Sequence, residues 1–260
     1  MESRPTTSPD LPAASRARDP GPAIVAVPFR HASSGRARTL LSPRERAELA
    51  RISAFLTVRK GEELYREGEA AEFMYIVTNG YVRTQRAEPG GVPRVTAFRS
   101  AGDLLGLAAE GHYVESAQAI ATSSAYRVPL GALEALLHTD GELSLRLLCK
   151  LSSVVVAEQR HAMILARTGA TGRVAMFLET LEQAQRERGR ETELIFLPMS
   201  RADIAAYVGL SLEAVSRALS NLQAQGAVSF RTKRQLRVTD RRRLQELIAG
   251  RRQARRARAR

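Results

Sequence analysis

Residues 200–226, SRADIAAYVGLSLEAVSRALSNLQAQG, constrain the fold more than any other stretch, because they predict two short helices joined by a tight turn. Ser200 is the predicted cap of the first helix, with Asp203 in its first turn. Gly209 supplies the left-handed residue that a sharp helix exit needs, and Ser211 is the predicted cap of the second helix. The second helix is expected to end at the glycine that closes the stretch.

The second helix is expected to bury one face and expose the other, because residues three and four apart lie on one side of a helix. The expected buried face consists of Val215, Leu219 and Leu222. The opposite face carries Glu213, Ser216, Arg217 and Ser220. In the major groove an arginine can contact guanine O6 and N7, a glutamate can accept from cytosine N4, and a serine can do either. A solvated face with an ordinary Glu–Arg pair is the alternative.

Residues 199–219, MSRADIAAYVGLSLEAVSRAL, resemble the helix-turn-helix of the CRP/FNR transcription regulators. The FNR and FixK branch of that family carries E-x-V-S-R in its recognition helix, whereas the cyclic-AMP receptor branch usually has Gly at the position of Ser216 and Arg at that of Leu212. The resemblance implies that Glu213, Ser216 and Arg217 read the bases of a half-site similar to TTGA. The expected contacts to the DNA backbone are made by Ser200, Arg201, Ser211, Ser220, Lys233 and Arg234.

The overall charge favours an anionic partner. The net charge is +13 and the pI is near 10.9, so we expect double-stranded DNA first and an acidic membrane surface second. No run of about 20 apolar residues predicts a membrane span, and no secretory leader is expected. The single cysteine, Cys149, excludes an internal disulfide and fits a reducing compartment. We therefore expect a cytoplasmic protein that has no membrane partner.

Residues 1–41 are rich in Pro, Ser, Ala and Arg and are predicted to be a disordered tail. FNR, which the chain resembles in the reader helix, holds an iron–sulfur centre with a cluster of mostly N-terminal cysteines. One cysteine cannot supply four thiolates within one chain. We therefore expect no iron–sulfur cluster and no other cofactor.

Residues 42–140 predict a small β-roll, because short strand-like runs alternate with glycine-containing turns. Ser42 is the expected cap of a helix that starts at Pro43, and Asn79-Gly80 is a hairpin signal. The order of the pieces resembles the cyclic-nucleotide-binding roll. In nucleotide-binding members a Glu contacts the ribose and an Arg pairs with the phosphate, but Leu107 and Glu115 stand at those positions here.

A carboxylate beside a buried phosphate would repel it. We therefore expect weak or no binding of cyclic AMP and cyclic GMP. A structural platform, a sensor for another small ligand and a docking surface for RNA polymerase remain as alternative roles for the roll.

Residues 141–167 predict one long helix that holds two copies of the chain together. A seam close to a heptad period runs through Leu147, Leu151, Val154, His161 and Leu165. A second phase runs through Leu148, Val155 and Ala162, and a plain core helix is the alternative. We expect a parallel homodimer, because a two-fold dimer presents two reader helices to successive half-sites.

Residues 168–249 predict a winged helix-turn-helix domain. Residues 168–172 form the expected hinge, and a helix from Arg173 to about Glu187 follows. Residues 228–230 and 236–238 can pair around a basic turn, which makes a wing, and an arginine-rich tail covers residues 250–260. Lys233 and Arg234 in that turn suit phosphate contacts, which set affinity rather than sequence choice.

The sequence therefore predicts an α+β chain with an N-terminal cyclic-nucleotide-binding-type β-roll, a long dimerisation helix and a C-terminal winged helix-turn-helix. No metal-ligand cluster, nucleophile elbow or phosphate-binding loop is found, so an enzyme is not expected. The function that fits best is a DNA-binding transcription regulator with RNA polymerase as a further partner. A ligand-binding module that acts without DNA is the remaining alternative.

Overall fold

The computed structural model describes residues 28–30, 37–39, 43–108, 110–167, 169–188 and 193–250. Its elements follow in chain order as β1 (Pro28–Arg30), β2 (Ala37–Thr39), α1 (Pro43–Ile52), β3 (Ala54–Val58), β4 (Glu63–Tyr65), β5 (Phe73–Asn79), β6 (Tyr81–Arg86), β7 (Arg94–Ser100), β8 (Leu104–Leu105), β9 (Ser116–Ala119), β10 (Ser123–Pro129), α2 (Leu130–Thr139), α3 (Gly141–Leu165), α4 (Ala170–Glu187), β11 (Ile195–Phe196), α5 (Arg201–Val208), α6 (Leu212–Ala224), β12 (Val228–Thr232), β13 (Gln235–Val238) and α7 (Arg241–Ile248).

Several predictions fall at the margins of the described residues. The predicted cap Ser42, Thr168 of the predicted hinge and residues 251–260 of the basic tail lie outside them. Within the predicted disordered tail, the structure describes only the paired strands β1 and β2. The helix α1 starts at Pro43 as predicted.

The β-roll consists of two four-stranded antiparallel sheets with the strand orders β3-β10-β5-β8 and β4-β9-β6-β7. Strand β5 is buried on both faces. Its consecutive residues are buried, and successive side chains point to opposite sides of a strand. Met74 and Ile76 pack with α1, α2 and α3, whereas Tyr75 and Val77 pack between the two sheets. This arrangement confirms the predicted roll.

The Asn79-Gly80 pair forms a corner between the two sheets, so the predicted hairpin is wrong. Strand β5 pairs with β10 and β8, whereas β6 pairs with β7 and β9. Gly80 has a φ of 82°, and a Cβ there would lie 2.3 Å from the hydroxyl of Ser123. The glycine is therefore needed where the chain passes close to β10 on its way into the second sheet.

Helix α3 is one continuous helix of 25 residues, as predicted, and most of the first predicted seam is buried or half-buried against its own chain. His161 of that seam is only 7% exposed and packs within its own chain. The exposed apolar stripe instead follows the second phase and includes Leu145, Leu148, Val155 and Met163, which are 51–62% exposed. The side facing the rest of the chain buries Leu143, Lys150 and Ile164.

The C-terminal domain packs α4, α5, α6 and α7 around one core, beside a three-stranded sheet with the order β11-β13-β12. Helix α4 begins at Ala170, three residues before the predicted start, so the last three residues of the predicted hinge are helical. Val228 pairs with Val238 and Phe230 with Leu236, which confirms the predicted wing. The sequence analysis missed the third strand, β11. No helix of the described residues is long and apolar enough to cross a bilayer.

Candidate nucleic-acid interface

The first helix of the predicted pair, α5, is held by a capping box. The Ser200 hydroxyl accepts a hydrogen bond from the Asp203 amide at 3.0 Å and donates one to the Asp203 carboxylate at 2.7 Å. That carboxylate also accepts from the Ser200 amide at 2.8 Å. The only O–H of Ser200 is thus used within the cap.

The turn between α5 and α6 is formed as predicted. Gly209 has a φ of 64°, which is the left-handed region, and its amide donates to the carbonyl of Ala205. The Ser211 hydroxyl accepts from the amide of Ala214 at 3.2 Å and so caps α6. These two residues set the angle at which α6 leaves the turn.

Helix α6 separates its faces as the sequence predicts. Val215, Leu219 and Leu222 are at most 4% exposed and belong to the domain core. Glu213, Ser216, Arg217 and Ser220 are all exposed. The sequence analysis missed one feature of this surface, the side chain of Leu212, which is 45% exposed at the start of the helix. An apolar side chain at that place can contact a thymine methyl group.

The polar side chains of the exposed face differ in charge and in hydrogen bonding. The backbone amide of Glu213 and then the Ser211 hydroxyl lower the pKa of the Glu213 carboxyl, which is therefore ionised. The Ser216 hydroxyl donates to the carbonyl of Leu212 at 2.9 Å, so its lone pairs remain available as acceptors. Among the described residues no hydrogen bond or ion pair joins Arg217 to Glu213, although the charge of Arg217 also acts to lower the pKa of Glu213. The exposed guanidinium of Arg217 is therefore available to a ligand.

A groove of about 310 Å³ runs between α6 and the wing. Four of the predicted DNA contacts line it, namely Arg201, Ser216, Ser220 and Lys233. The remaining lining residues, which the sequence analysis did not predict to contact DNA, are Leu219, Gln223, Phe230 and Thr232. The structure therefore brings two predicted backbone contacts from α5 and the wing to the recognition helix.

Arg201 is fixed at one side of this groove. Its guanidinium lies 5.3 Å from the centre of the Phe230 ring, and its Nη2 donates to the carbonyl of Lys233 at 3.3 Å. Both contacts hold the Arg201 guanidinium beside the groove, where a DNA phosphate would approach it. Burial lowers the pKa of Arg201, but an arginine keeps its charge at neutral pH.

The other predicted backbone contacts lie outside the groove. Ser200 and Ser211 occupy the two helix caps, and Arg234 lies at the wing tip, where its backbone carbonyl accepts from the amide of Leu197 at 2.8 Å. The side chain of Arg234 is exposed.

Comparisons with known proteins agree with this geometry. The Crp-like helix-turn-helix domain matches residues 172–247, and the cyclic nucleotide-binding domain matches residues 55–140. The solved structure of FixK2 from Bradyrhizobium japonicum superposes with a TM-score of 0.69 at 34% sequence identity, covering 75% of this chain and 97% of that one. The chain belongs to the CRP/FNR family of transcription regulators.

Two curated regulators extend the similarity within this CRP/FNR family. The fumarate and nitrate reduction regulatory protein of Salmonella typhi is 29% identical over 178 residues, which are 68% of this chain and 71% of that protein. Electron transport regulator A of Shewanella oneidensis is 27% identical over 180 residues, with the same coverage. The predicted family, fold and class of function are thereby confirmed.

The roll of this CRP/FNR regulator has an acidic group where nucleotide-binding members carry the phosphate arginine. The Thr96 hydroxyl donates to the Glu115 carboxylate at 2.6 Å, and the hydroxyls of Thr84 and Thr96 are 2.7 Å apart. Leu107, at the ribose position, is 37% exposed. Neither residue offers a cation to a cyclic phosphate.

Three stacked tyrosines fill the space between the two sheets of the roll. The ring centroids of Tyr65 and Tyr113 are 4.0 Å apart, those of Tyr65 and Tyr75 are 5.5 Å apart, and each residue is at most 5% exposed. Burial and then the nearby Glu115 carboxylate raise the pKa of the Tyr65 hydroxyl. Among the described residues this hydroxyl has no partner with hydrogen-bond geometry, although the nearby backbone of Gly106 acts to lower its pKa.

Proposed function

We propose that two copies of this regulator bind a palindromic DNA site, and that each copy reads one half-site similar to TTGA with helix α6. The orientation of α6 carries the proposal. Because its apolar residues are buried in the domain core, the polar face with Glu213, Ser216 and Arg217 is turned outward. A recognition helix of this fold enters the major groove with the N-terminal part of such a face.

The base contacts follow from the chemistry of the exposed groups. Arg217 contacts the O6 and N7 of guanine, and the ionised Glu213 accepts from cytosine N4. Ser216 accepts from a base amino group while its own hydroxyl stays bonded to the helix backbone. We add Leu212 to this set as an apolar contact to a thymine methyl group.

The phosphate contacts set the position of α6 on the duplex. We propose that Arg201, Ser220 and Lys233 bind one stretch of backbone along the groove, and that Arg234 reaches a neighbouring phosphate from the wing tip. Ser200 and Ser211 cap the starts of α5 and α6, and we propose that these helix starts lie against the DNA backbone.

We propose that the homodimer forms through the exposed stripe of α3. Leu145, Leu148 and Val155 are spaced three and seven residues apart, which places them on one helix face, and they are 56–62% exposed in the single chain. A second copy that covers them with its own α3 places two α6 helices on the same side of the dimer.

We also propose that the regulator binds DNA without cyclic AMP or cyclic GMP. Glu115 would repel the phosphate, and the tyrosine stack fills the space between the two sheets of the roll. The alternative is a roll that binds an effector of other chemistry, for which the buried Tyr65 hydroxyl near the Glu115 carboxylate is the favourable observation.

The cellular setting follows from the family. We propose that the protein acts in the cytoplasm, where bacterial DNA is found, and that it contacts RNA polymerase to change transcription. Its relatives are named as regulators, and we propose that it likewise has no enzymatic activity.

The test is a fluorescence-anisotropy titration on a TTGAT-N4-ATCAA duplex and on a scrambled duplex, without ligand, over a salt series. We expect a preference for the palindrome of about 10³-fold or more, as for specific readers. Arg217→Glu should remove the preference. The control is Arg242→Glu, which makes the same charge reversal on α7 instead of α6 and should keep the preference for the palindrome. Equal binding of both duplexes by the unaltered protein would contradict the proposed site.

A further inference from the structure

The roll and the DNA-binding domain share a hydrophobic core. Phe98 of β7 and Ile120, which follows β9, pack against the core cluster of the C-terminal domain. The centre of the Phe98 ring lies 5.2 Å from that of Tyr207 in α5 and 6.3 Å from that of Phe177 in α4. The short connection after α3 is thus not the only link between the two domains.

An ion pair at this interface binds the roll to the first helix of the helix-turn-helix. Arg83 of β6 donates from Nη1 to the Asp203 carboxylate, the same group that closes the capping box of α5. Its Nη2 donates to the side-chain oxygen of Gln118 at 2.7 Å, which fixes the guanidinium on the roll. The side chains of Arg83 and Asp203 are 25% and 10% exposed, so salt screens this pair little.

A second ionic contact binds the roll to the far end of α4. Asp103, between β7 and β8, accepts from Arg188 Nη2 at 2.7 Å and from Lys150 Nζ at 3.2 Å. Burial by itself would raise the pKa of Asp103, but Arg188 and then Lys150 outweigh it and keep the pKa below the usual value. One carboxylate therefore joins the roll, the long helix α3 and the DNA-binding domain.

These contacts fix the domain in more than one direction. Arg83 acts at the start of α5, and Arg188 acts at the end of α4, so a rotation of the domain about the connection after α3 would break both ion pairs. It would also separate Phe98 from the core that it completes. Each of these charges would then lose its partner while it is still partly buried, which is energetically costly.

We propose that Arg83 and Arg188 are positioning residues that hold the reader helix α6 at a fixed orientation to α3 without any small ligand. The inference rests on the proposed reading of a two-part DNA site. A fixed orientation in each copy sets the distance between the two reader helices of a dimer. It therefore sets the spacing of half-sites that the dimer accepts.

The variants are chosen to leave the fold intact and to remove the interdomain ion pairs of Arg83 and Arg188, which together are called the clamp. Arg83→Gln and Arg188→Gln break one ion pair each, while Asp203 keeps its bonds from Ser200 and Asp103 keeps Lys150. The matched controls are Arg86→Gln, on the same strand with its partner Glu67 in the roll, and Arg186→Gln, on the last turn of α4 with its partner Glu182 in the same helix. Arg83→Lys and Arg188→Lys keep the positive charge and test whether charge alone preserves the orientation of the domain.

The first readout needs no DNA. Spin labels at Lys60→Cys in the roll and Arg242→Cys in α7, in a Cys149→Ser background and diluted with unlabelled protein, report the distance between the domains. We expect one narrow distance for the unaltered protein and for both controls, and a broad distribution for the two glutamine variants. Narrow, unshifted distances in the glutamine variants with unchanged thermal unfolding would overturn the proposal.

The second readout is binding to palindromes whose spacer is one base pair shorter, equal or one longer. We expect the glutamine variants to lose about tenfold in affinity for the preferred spacer, in the range of coupling between contacting residues. Their affinity for the other two spacers should change little, so the spacing preference flattens. If the glutamine variants keep the spacer preference, or bind more tightly than the unaltered protein, the proposed clamp is contradicted. If the unaltered protein ignores the palindrome, the proposed site fails, while the distance measurement still decides on the clamp.

Discussion

The imidazole of His161 lies parallel to the ring of Tyr207, with 3.9 Å between their centroids, and its Nε2 is 2.8 Å from the Tyr207 carbonyl oxygen. The pair joins the long helix α3 to the first helix of the helix-turn-helix. Since the carbonyl can only accept, Nε2 carries the proton of the neutral ring. Burial lowers the pKa of His161, although the bond to Tyr207 and the charge of Glu158 oppose this and Arg94 assists it.

Stability is therefore expected to fall in mild acid. The unfolded chain takes up a proton on His161 near its usual pKa of about 6.5, whereas the folded chain resists protonation to lower pH. The contribution of neutral His161 is complete above that value and is lost as the pH falls towards the folded pKa. Urea unfolding at about pH 7.5 and pH 5.5 should show a smaller pH difference for His161→Gln than for the unaltered protein. His138→Gln, on the exposed side of α2, should keep the difference.

Arg217→Ala is expected to relax the choice of base at one position of each half-site. The loss of a bidentate contact to guanine should cost roughly 5- to 150-fold in affinity per half-site. Competition titrations with all four bases at that position measure the change. A variant that still ranks guanine first by the same margin would show that Arg217 does not read it.

Lys233→Ala is expected to weaken binding to every sequence alike. A phosphate contact carries no base information, and each one lost should reduce the slope of log K against log salt by about 0.9. The slope is read from titrations of specific and scrambled duplexes. Arg242→Ala on α7 is the control that should leave both slopes unchanged, and a loss confined to the palindrome would argue against a phosphate role for Lys233.

Leu148→Glu is expected to separate the dimer into monomers. The substitution places a charge in the middle of the exposed stripe of α3, where a second copy would bury it without a partner. Sedimentation velocity measures the association state. Ala157→Glu, exposed on the opposite side of α3, is the matched control and should stay dimeric.

Cyclic AMP and cyclic GMP are expected to leave the unfolding temperature unchanged. A ligand present at 100 times its Kd would stabilise the folded chain by about 2.7 kcal/mol, which thermal unfolding detects easily. Calorimetric titration provides the second measurement. Micromolar binding of either nucleotide would mean that Tyr65 and its neighbours move aside and that Glu115 does not face the phosphate.

The local features of the interface could be predicted from the sequence because they depend on neighbours in the chain. The capping box of Ser200 and Asp203, the left-handed Gly209 and the buried stripe of α6 all follow from spacings of three or four residues. The wing register likewise follows from short runs on either side of one turn.

The errors concern contacts between distant parts of the chain. Asn79-Gly80 is a common hairpin signal, but whether the chain pairs back or crosses into another sheet depends on β10, more than 40 residues later. The face of α3 that remains exposed depends on Tyr207 and Asp103, which bind His161 and Lys150. Periodicity alone identifies an apolar flank and does not say which partner covers it.

The shared core of the two domains limits how such regulators can be recombined. A reader domain cut free after α3 would expose the surface that Phe98 and Ile120 cover, and it would leave Asp203 and Arg188 without their partners on the roll. A chimaera that joins this helix-turn-helix to another sensor therefore needs matching side chains on the new sensor's strands. The two halves of the chain are joined by side chains that each needs from the other, although each has a recognisable fold of its own.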